Sequence, residues 1–155
     1  MESYLKYDKK NEGTTIAVAM SGGVDSSVVA YMLKKQGYKV FGVTMKVWTS
    51  GSPCSKSVDL SDAKKVADDL GIEHYMIDFK DDFKKIVVDS FVKDYLEGKT
   101  PNPCMVCNRN IKFGKLIEFA LSNGADFMAT GHYAKIENGM LKIGDDPNKD
   151  QVYFL

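Results

Sequence analysis

Ile16-Ala17-Val18-Ala19-Met20-Ser21-Gly22-Gly23-Val24-Asp25-Ser26-Ser27 is the stretch that decides the fold of this chain. Its opening run is apolar without interruption, as in a strand buried on both faces of a parallel sheet. A Ser-Gly-Gly turn follows, and a helical pattern opens at Val24. Two glycines between strand and helix let bare backbone approach a ligand, and the new helix start offers N–H groups that attract an anion. The turn is phosphate-binding in type, yet it lacks the lysine of a G-x-x-x-x-G-K-S/T loop. Asp25 stands in its place, beside two serines. An acidic side chain next to a phosphate makes sense when a divalent cation such as Mg²⁺ lies between them.

Working outward, Val24, Val28 and Met32, with Val29 and Leu33, fall at helical spacing, and Gly37 ends that helix. Residues 39–48 alternate and are valine-rich, which predicts a second strand. Residues 49–57 form a loop. Leu60, Ala63, Val66, Ala67 and Leu70 mark a second helix closed by Gly71, and residues 74–79 a third strand. Phe83, Ile86, Val87, Phe91 and Tyr95 mark a third helix ending near Gly98. After Thr100-Pro101-Asn102-Pro103-Cys104, a loop held extended by two prolines, comes a helix burying Ile111, Leu116, Ile117, Ala120 and Leu121 and stopped by Gly124. Residues 126–130 predict a fourth strand, and 133–136 with 140–143 flank Glu-Asn-Gly as a hairpin.

Strands alternating with helices predict an α/β fold: a doubly wound, mostly parallel sheet with helices on both faces, plus a small β-hairpin near the C-terminus. In such sheets ligands bind beyond the strand ends where strand order reverses. Residues 1–13 are polar and aperiodic and read as a flexible arm, leaving 14–155 as a single domain.

The chain has 155 residues and equal numbers of acidic and basic side chains, 21 each. Zero net charge argues against nonspecific attraction to nucleic acid by the whole domain, so an RNA partner would need a local patch. No run approaches the ~20 apolar residues of a membrane span, and the first ten residues lack a signal-peptide core, so no membrane partner and a cytoplasmic location are expected. The cysteines Cys54, Cys104 and Cys107 then count as chemistry or metal candidates ahead of structural disulfides. Cys104 and Cys107 form a C-x-x-C pair, a pattern shared by redox, zinc and iron–sulfur sites. Cys107 is placed at a helix start, where the dipole lowers a thiol's pKa. His132 follows a glycine at a strand end, where it could meet a phosphate or a base.

Ser21-Gly22-Gly23-Val24-Asp25-Ser26-Ser27 resembles the signature of the PP-loop ATP pyrophosphatases. That superfamily cleaves ATP between its α and β phosphates to adenylate a substrate oxygen. Four more segments follow in order: Met45-Lys46-Val47-Trp48, Thr100-Pro101-Asn102-Pro103-Cys104-Met105-Val106-Cys107-Asn108-Arg109-Asn110-Ile111-Lys112-Phe113, Thr130-Gly131-His132-Tyr133 and Asn148-Lys149-Asp150-Gln151-Val152-Tyr153-Phe154-Leu155. Together they resemble the tRNA-specific 2-thiouridylases of the MnmA type, which replace O2 of a wobble uridine with sulfur.

The resemblance implies roles. Ala19, Met20, Ser21, Gly22, Gly23, Val24, Asp25 and Ser26 would hold the ATP phosphates, with Asp25 on Mg²⁺. Met45 and Gly131 would place the adenosine. Asn102, Pro103 and Cys104 would face the target base, and Lys149, Asp150 and Gln151 would contact tRNA with His132 nearby. Cys107 would be the first of two catalytic cysteines. Sulfur would arrive from a donor protein as a persulfide on the second, and Cys107 would later close a disulfide with it. Cys104 stands where many relatives carry aspartate. With Cys107 and a third cysteine it would make an iron–sulfur site in the full-length protein. The family's second cysteine, middle domain and C-terminal barrel lie beyond Leu155, so the chain is expected to be the ATP-binding part of a longer enzyme. Two other readings stay open: another PP-loop adenylating enzyme, and a nucleotide-binding module without chemistry. The Asn-Pro-Cys…Cys-Asn loop speaks against the first.

Overall fold

The computed structural model describes residues 8–47 and 60–155. Trp48, the loop at 49–57 with Cys54, and the first seven residues of the arm lie outside the described residues. In chain order the elements are β1 (Thr15–Ala19), α1 (Val24–Lys35), β2 (Lys39–Lys46), α2 (Leu60–Leu70), β3 (Glu73–Asp78), α3 (Lys80–Phe83), α4 (Asp89–Leu96), α5 (Pro103–Cys107), α6 (Leu116–Ser122), β4 (Phe127–Ala129), β5 (Ala134–Glu137) and β6 (Met140–Ile143). π-helical segments, Lys84–Val88 and Asn108–Lys115, join α3 to α4 and α5 to α6.

The chain divides into two units. The first takes the described residues up to Lys80 together with Leu116–Gly131, and the second takes Asp81–Lys115 and His132–Leu155.

In the first unit, four strands form one parallel sheet in the order β3-β2-β1-β4. Strand order reverses between β1 and β4. Successive β1 residues point to opposite faces, and both faces are covered. Ile16, Val18 and Met20 pack with Ala30 of α1 and with Ala63 and Ala67 of α2. Ala17 points the other way, joining Phe41 and Val43 of β2 to Leu116 and Ala120 of α6. An unbroken apolar run is what a strand between two helix layers requires. The doubly wound sheet foreseen from the sequence is therefore present.

Two expectations change here. Val24 and Val28 are 77% and 47% exposed, so the core-facing stripe of α1 is Val29, Ala30 and Leu33. The arm, where described, is tied down: Asp8 N–H and the Asn11 side-chain amide donate to the Gln36 carbonyl, at 3.1 and 2.8 Å. Residues Lys9–Gly13 form a 3-10 turn whose N-cap is Asp8. Both contacts serve one carbonyl, that of Gln36, the C-cap residue of α1.

In the second unit, the third helix includes the Lys84–Val88 π segment, and only Val87 of its predicted stripe is fully buried. Phe91 and Tyr95 remain on the surface. The extended proline loop ends two residues earlier than expected, because Pro103 opens α5. Its fixed φ and missing N–H suit the first helical position, and Asn102 caps the turn by accepting from Met105 N–H at 3.3 Å. The hairpin is as foreseen, with β5 pairing antiparallel to β6. Asn138 and Gly139 both take positive φ, as a two-residue turn of type I′ demands. Among the described residues no helix is long and apolar enough to cross a membrane.

Candidate functional site

The Ser-Gly-Gly turn leaves the sheet beside β4, at the point where strand order reverses. Gly22 turns through φ 80°, and Gly23 precedes α1 in extended backbone. Having no side chain, Gly23 cannot cap the helix. The turn is instead closed by Ser26, which is buried. Its hydroxyl donates to the Gly23 carbonyl at 3.1 Å and accepts from Ser21 N–H at 3.2 Å. Ser27 also donates to the Gly23 carbonyl, at 2.9 Å. The N–H groups of Val24 and Asp25 then head a twelve-residue helix whose dipole favours an anion. Asp25 itself is exposed in the first turn. Its carboxylate is a hard-oxygen donor of the kind Mg²⁺ takes.

Gly131, just past β4, meets this turn. A Cβ there would lie 2.9 Å from Ser26 N and 3.1 Å from two atoms of Asp25. Only glycine lets the β4 strand end come so close to the start of α1. Thus Ser21, Gly22, Gly23, Val24, Asp25, Ser26 and Gly131 come together. Ala19 precedes them at the end of β1. Met20 and Met45 do something different: the Met20 side chain is buried in the α1/α2 core, and Met45 packs beside Phe41 and Val43 on the α6 face. Sequence reasoning missed Thr44 and His74, which lie under the turn. Their signal was two polar side chains in the interior of the strands, Thr44 between Val43 and Met45 and His74 ahead of Tyr75.

In the second unit, Cys104 is exposed and Cys107 half-buried, both as free thiols. They are three apart on one helix and so share a face. The sequence-based expectation for Cys107 is corrected. It lies at the end of α5, four residues inside the helix start, and burial pushes its thiol above the ordinary value. Cys104 adds to that, while the Lys112 ammonium opposes it. Dehydration outweighs any dipole, so Cys107 is held neutral near pH 7. Alkylation at neutral pH should accordingly label Cys104 first. Labelling of Cys107 should speed up by about tenfold per pH unit as its thiolate forms. Peptide mass spectrometry over a pH series checks this, and preferential labelling of Cys107 at pH 7 would refute it.

His132 stacks at 5.8 Å from the Phe113 ring. Burial, then Lys112, holds its pKa below the ordinary 6.5. His74 of the first unit is likewise lowered, by burial and then by Lys64, against an opposing Asp68. Both histidines take up protons more readily unfolded than folded. Below pH 6.5 the unfolded chain therefore binds more protons, and stability falls with pH until the folded pKa values are passed. Urea midpoints at pH 7.5 and 5.5 should show this loss.

Lys149, Asp150 and Gln151 have internal partners. Gln151 Oε1 accepts from Tyr133 N–H at 2.9 Å, and Lys149 Nζ lies 4.9 Å from the centre of the Tyr133 ring. Asp150 accepts from Val152 N–H at 3.0 Å. The motif thus brackets the backbone next to His132. Asn102 and Pro103 begin α5, and among the described residues no three His, Cys, Asp or Glu side chains are grouped to hold a metal ion. The thiol donor set there stops at Cys104 and Cys107.

A parallel sheet in this order, with a lysine-free Ser-Gly-Gly turn at its switch point, defines a Rossmann-like domain of the PP-loop kind. The chain belongs to the tRNA methyl transferase HUP domain family, whose model matches residues 14–155. It is 63% identical over 154 residues to tRNA-specific 2-thiouridylase MnmA 1 of Fusobacterium nucleatum, covering 99% of this chain and 40% of that protein. It is 50% identical over 151 residues to MnmA of Clostridium kluyveri, covering 90% and 42%. The chain therefore spans about two fifths of the length of the curated relatives it matches. Among solved structures, U34-tRNA thiolase NcsA of Methanococcus maripaludis, with its 4Fe–4S cluster, aligns at TM-score 0.62 and 24% identity. That alignment covers 85% of this chain and 44% of NcsA. At that identity the likeness shows the fold alone.

Proposed function

We propose that this chain is the ATP-binding part of a tRNA-uridine 2-sulfurtransferase, and that its turn adenylates O2 of the wobble uridine for replacement by sulfur. The observation that carries the reading is Gly131 set bare against Ser26 N and Asp25, at the strand end where a doubly wound sheet binds its ligand. The 63% identity to a protein named as a 2-thiouridylase supports the choice of reaction.

On this reading the α1 N–H groups and the Gly22-Gly23 backbone take the ATP phosphates, and Gly131 borders the adenosine. Asp25 would hold Mg²⁺, which when bound neutralises charge on the departing pyrophosphate. The uridine O2 attacks the α phosphorus, the α–β bridge breaks, and pyrophosphate leaves. The terminal sulfur of a persulfide, brought to a second cysteine by a donor protein, then bonds to C2 as AMP departs. Cys107, deprotonated, attacks the inner sulfur of that link. The S–S bond breaks, a Cys–Cys disulfide forms, and the thiouridine is released. Cys107 is neutral at rest, so it must lose its proton before this step. Asn102, Pro103 and Cys104 would face the base, and Lys149, Asp150 and Gln151 with His132 the tRNA.

A second reading has its own observation. Cys104 and Cys107 share a helix face and supply two of the three thiols an iron–sulfur cluster would need. Full activity after anaerobic purification of the intact enzyme, with no iron or sulfide present, would exclude it.

The test of the main reading has two parts. ATP–Mg²⁺ titration of the chain, read on the single tryptophan Trp48, should saturate. The intact enzyme should form 2-thiouridine in tRNA with release of AMP and pyrophosphate. Binding without 2-thiouridine would leave a nucleotide-binding module, and no binding would remove the reading.

A further inference from the structure

We propose that Thr44 and His74 are positioning residues for the phosphate turn, a paired clamp that fixes the peptide between Met20 and Ser21. The proposal rests on the nucleotide reading above and adds to it two residues that touch no ligand.

The pairing of β1 with β2 continues one residue past β1, where Met20 N–H donates to the Val43 carbonyl at 2.8 Å. The Met20 carbonyl accepts from the Thr44 hydroxyl, also at 2.8 Å, and Thr44 is only 2% exposed. A carbonyl can only accept, so that hydroxyl has committed its single proton. His74 Nε2 lies 2.8 Å from the same oxygen and must therefore donate to it. This fixes the ring: with His74 neutral, the proton sits on Nε2. The imidazole N–H donates to the hydroxyl and the hydroxyl to the carbonyl, a one-way chain of hydrogen bonds.

The chain ends on one atom of a planar group. Met20 C=O and Ser21 N–H belong to the same peptide unit, whose atoms lie in one plane. Thr44 holds its oxygen, and Ser26 Oγ accepts from its N–H at 3.2 Å. Pinning both ends sets the orientation of the plane, and this is the last peptide before the Gly22 turn. The seat is cut to fit. A Cβ at Gly42 would lie 2.5 Å from Met20 Sδ and 2.9 Å from His74 Cδ2, so glycine leaves room for both side chains. Ser26 is thereby shared between the clamp and the start of α1. A slack peptide on one side would move the hydroxyl that closes the turn on the other.

The experiment is ATP–Mg²⁺ titration of this chain and its variants. Thr44→Val keeps the shape, removes the hydroxyl and leaves a buried carbonyl without its donor. It should weaken ATP by about tenfold, the cost of one unmade buried hydrogen bond. Thr44→Ser should bind within about twofold of the parent, since it restores the donor with less packing. His74→Phe should weaken binding, and His74→Gln, which keeps an N–H at the end of a side chain, should weaken it less. Imidazole nitrogen NMR adds a signature that packing alone would not give: an Nε2–H tautomer in the parent, lost in Thr44→Val. Equal affinity in Thr44→Val and parent overturns the proposal, as does a loss that Thr44→Ser fails to restore. A parent chain that binds no ATP instead overturns the nucleotide reading, while the NMR signature still reports whether the clamp exists.

Discussion

Gly131→Ala is expected to lower ATP affinity by about 100-fold or more, the scale on which an ångström of misplacement acts at a site. The new methyl would sit 2.9 Å from Ser26 N and 3.1 Å from the Asp25 carbonyl carbon. These are backbone atoms of the first turn of α1, and they cannot swing aside as a long side chain can. Either the strand end retreats or the helix start tilts, and both displace the Ser-Gly-Gly turn that the proposed function assigns to phosphate. Far-ultraviolet circular dichroism should remain that of the parent, because β1 and β4 keep their pairing below this point. Gly13→Ala is the control, since nothing lies within 4 Å of its Cβ position. Equal ATP affinity for Gly131→Ala and the parent would separate Gly131 from the site.

Leu116→Ala should give the largest loss of stability. Leu116 is fully buried, against Ala17, Phe41 and Val43 and beside Ala120. Truncating a side chain in such a place removes its transfer free energy and leaves a void, together about 3 kcal/mol. For a chain of this size that lowers the melting temperature by roughly 6–12 °C. Leu121→Ala, at a side chain that is 50% exposed, should cost under about 0.5 kcal/mol. Equal losses in the two variants would contradict the packing described.

That contrast also marks where reading the sequence stopped. Strands were legible because β1 and β2 need apolar side chains toward two helix layers, and the helix ends were legible because Gly37, Gly71, Gly98 and Gly124 turn through positive φ. The Ser-Gly-Gly turn between β1 and α1 was legible because glycines between a strand and a helix mark a tight connection. The α1 stripe was misread because Val24 and Val28 are apolar yet lie on the solvent side. In the helix after Cys107, Ile111, Leu116 and Ala120 are buried as expected, whereas Leu121 is 50% exposed; Ile111 and Leu116 stand five residues apart, the interval of a π-helix. Cys107 showed the limit of a local argument. A helix dipole can be inferred from neighbours in sequence, but the burial that overrides it comes from elsewhere in the fold. Thr44 and His74 were missed because their meaning depends on register: they form one link only when β2 and β3 align Thr44 with Met76 and carry His74 beside Gly42.

The first unit is assembled from two separated lengths of chain. Thr15 N–H donates to the Asp126 carboxylate and Asp126 N–H to the Thr15 carbonyl, both at 2.8 Å, across 111 positions. The central strand therefore waits for its second neighbour until most of the polypeptide exists. Loop closure over such a span is slow relative to the local β1-α1-β2 unit. During synthesis the Ser-Gly-Gly turn emerges early, while Gly131, the residue that backs it, comes more than a hundred residues later. A nascent chain lacking β4 carries this turn without the strand end that backs it. On the proposed function, competence to hold nucleotide becomes a late event in the maturation of the chain, and a refolding trace followed by ligand should lag one followed by helix content.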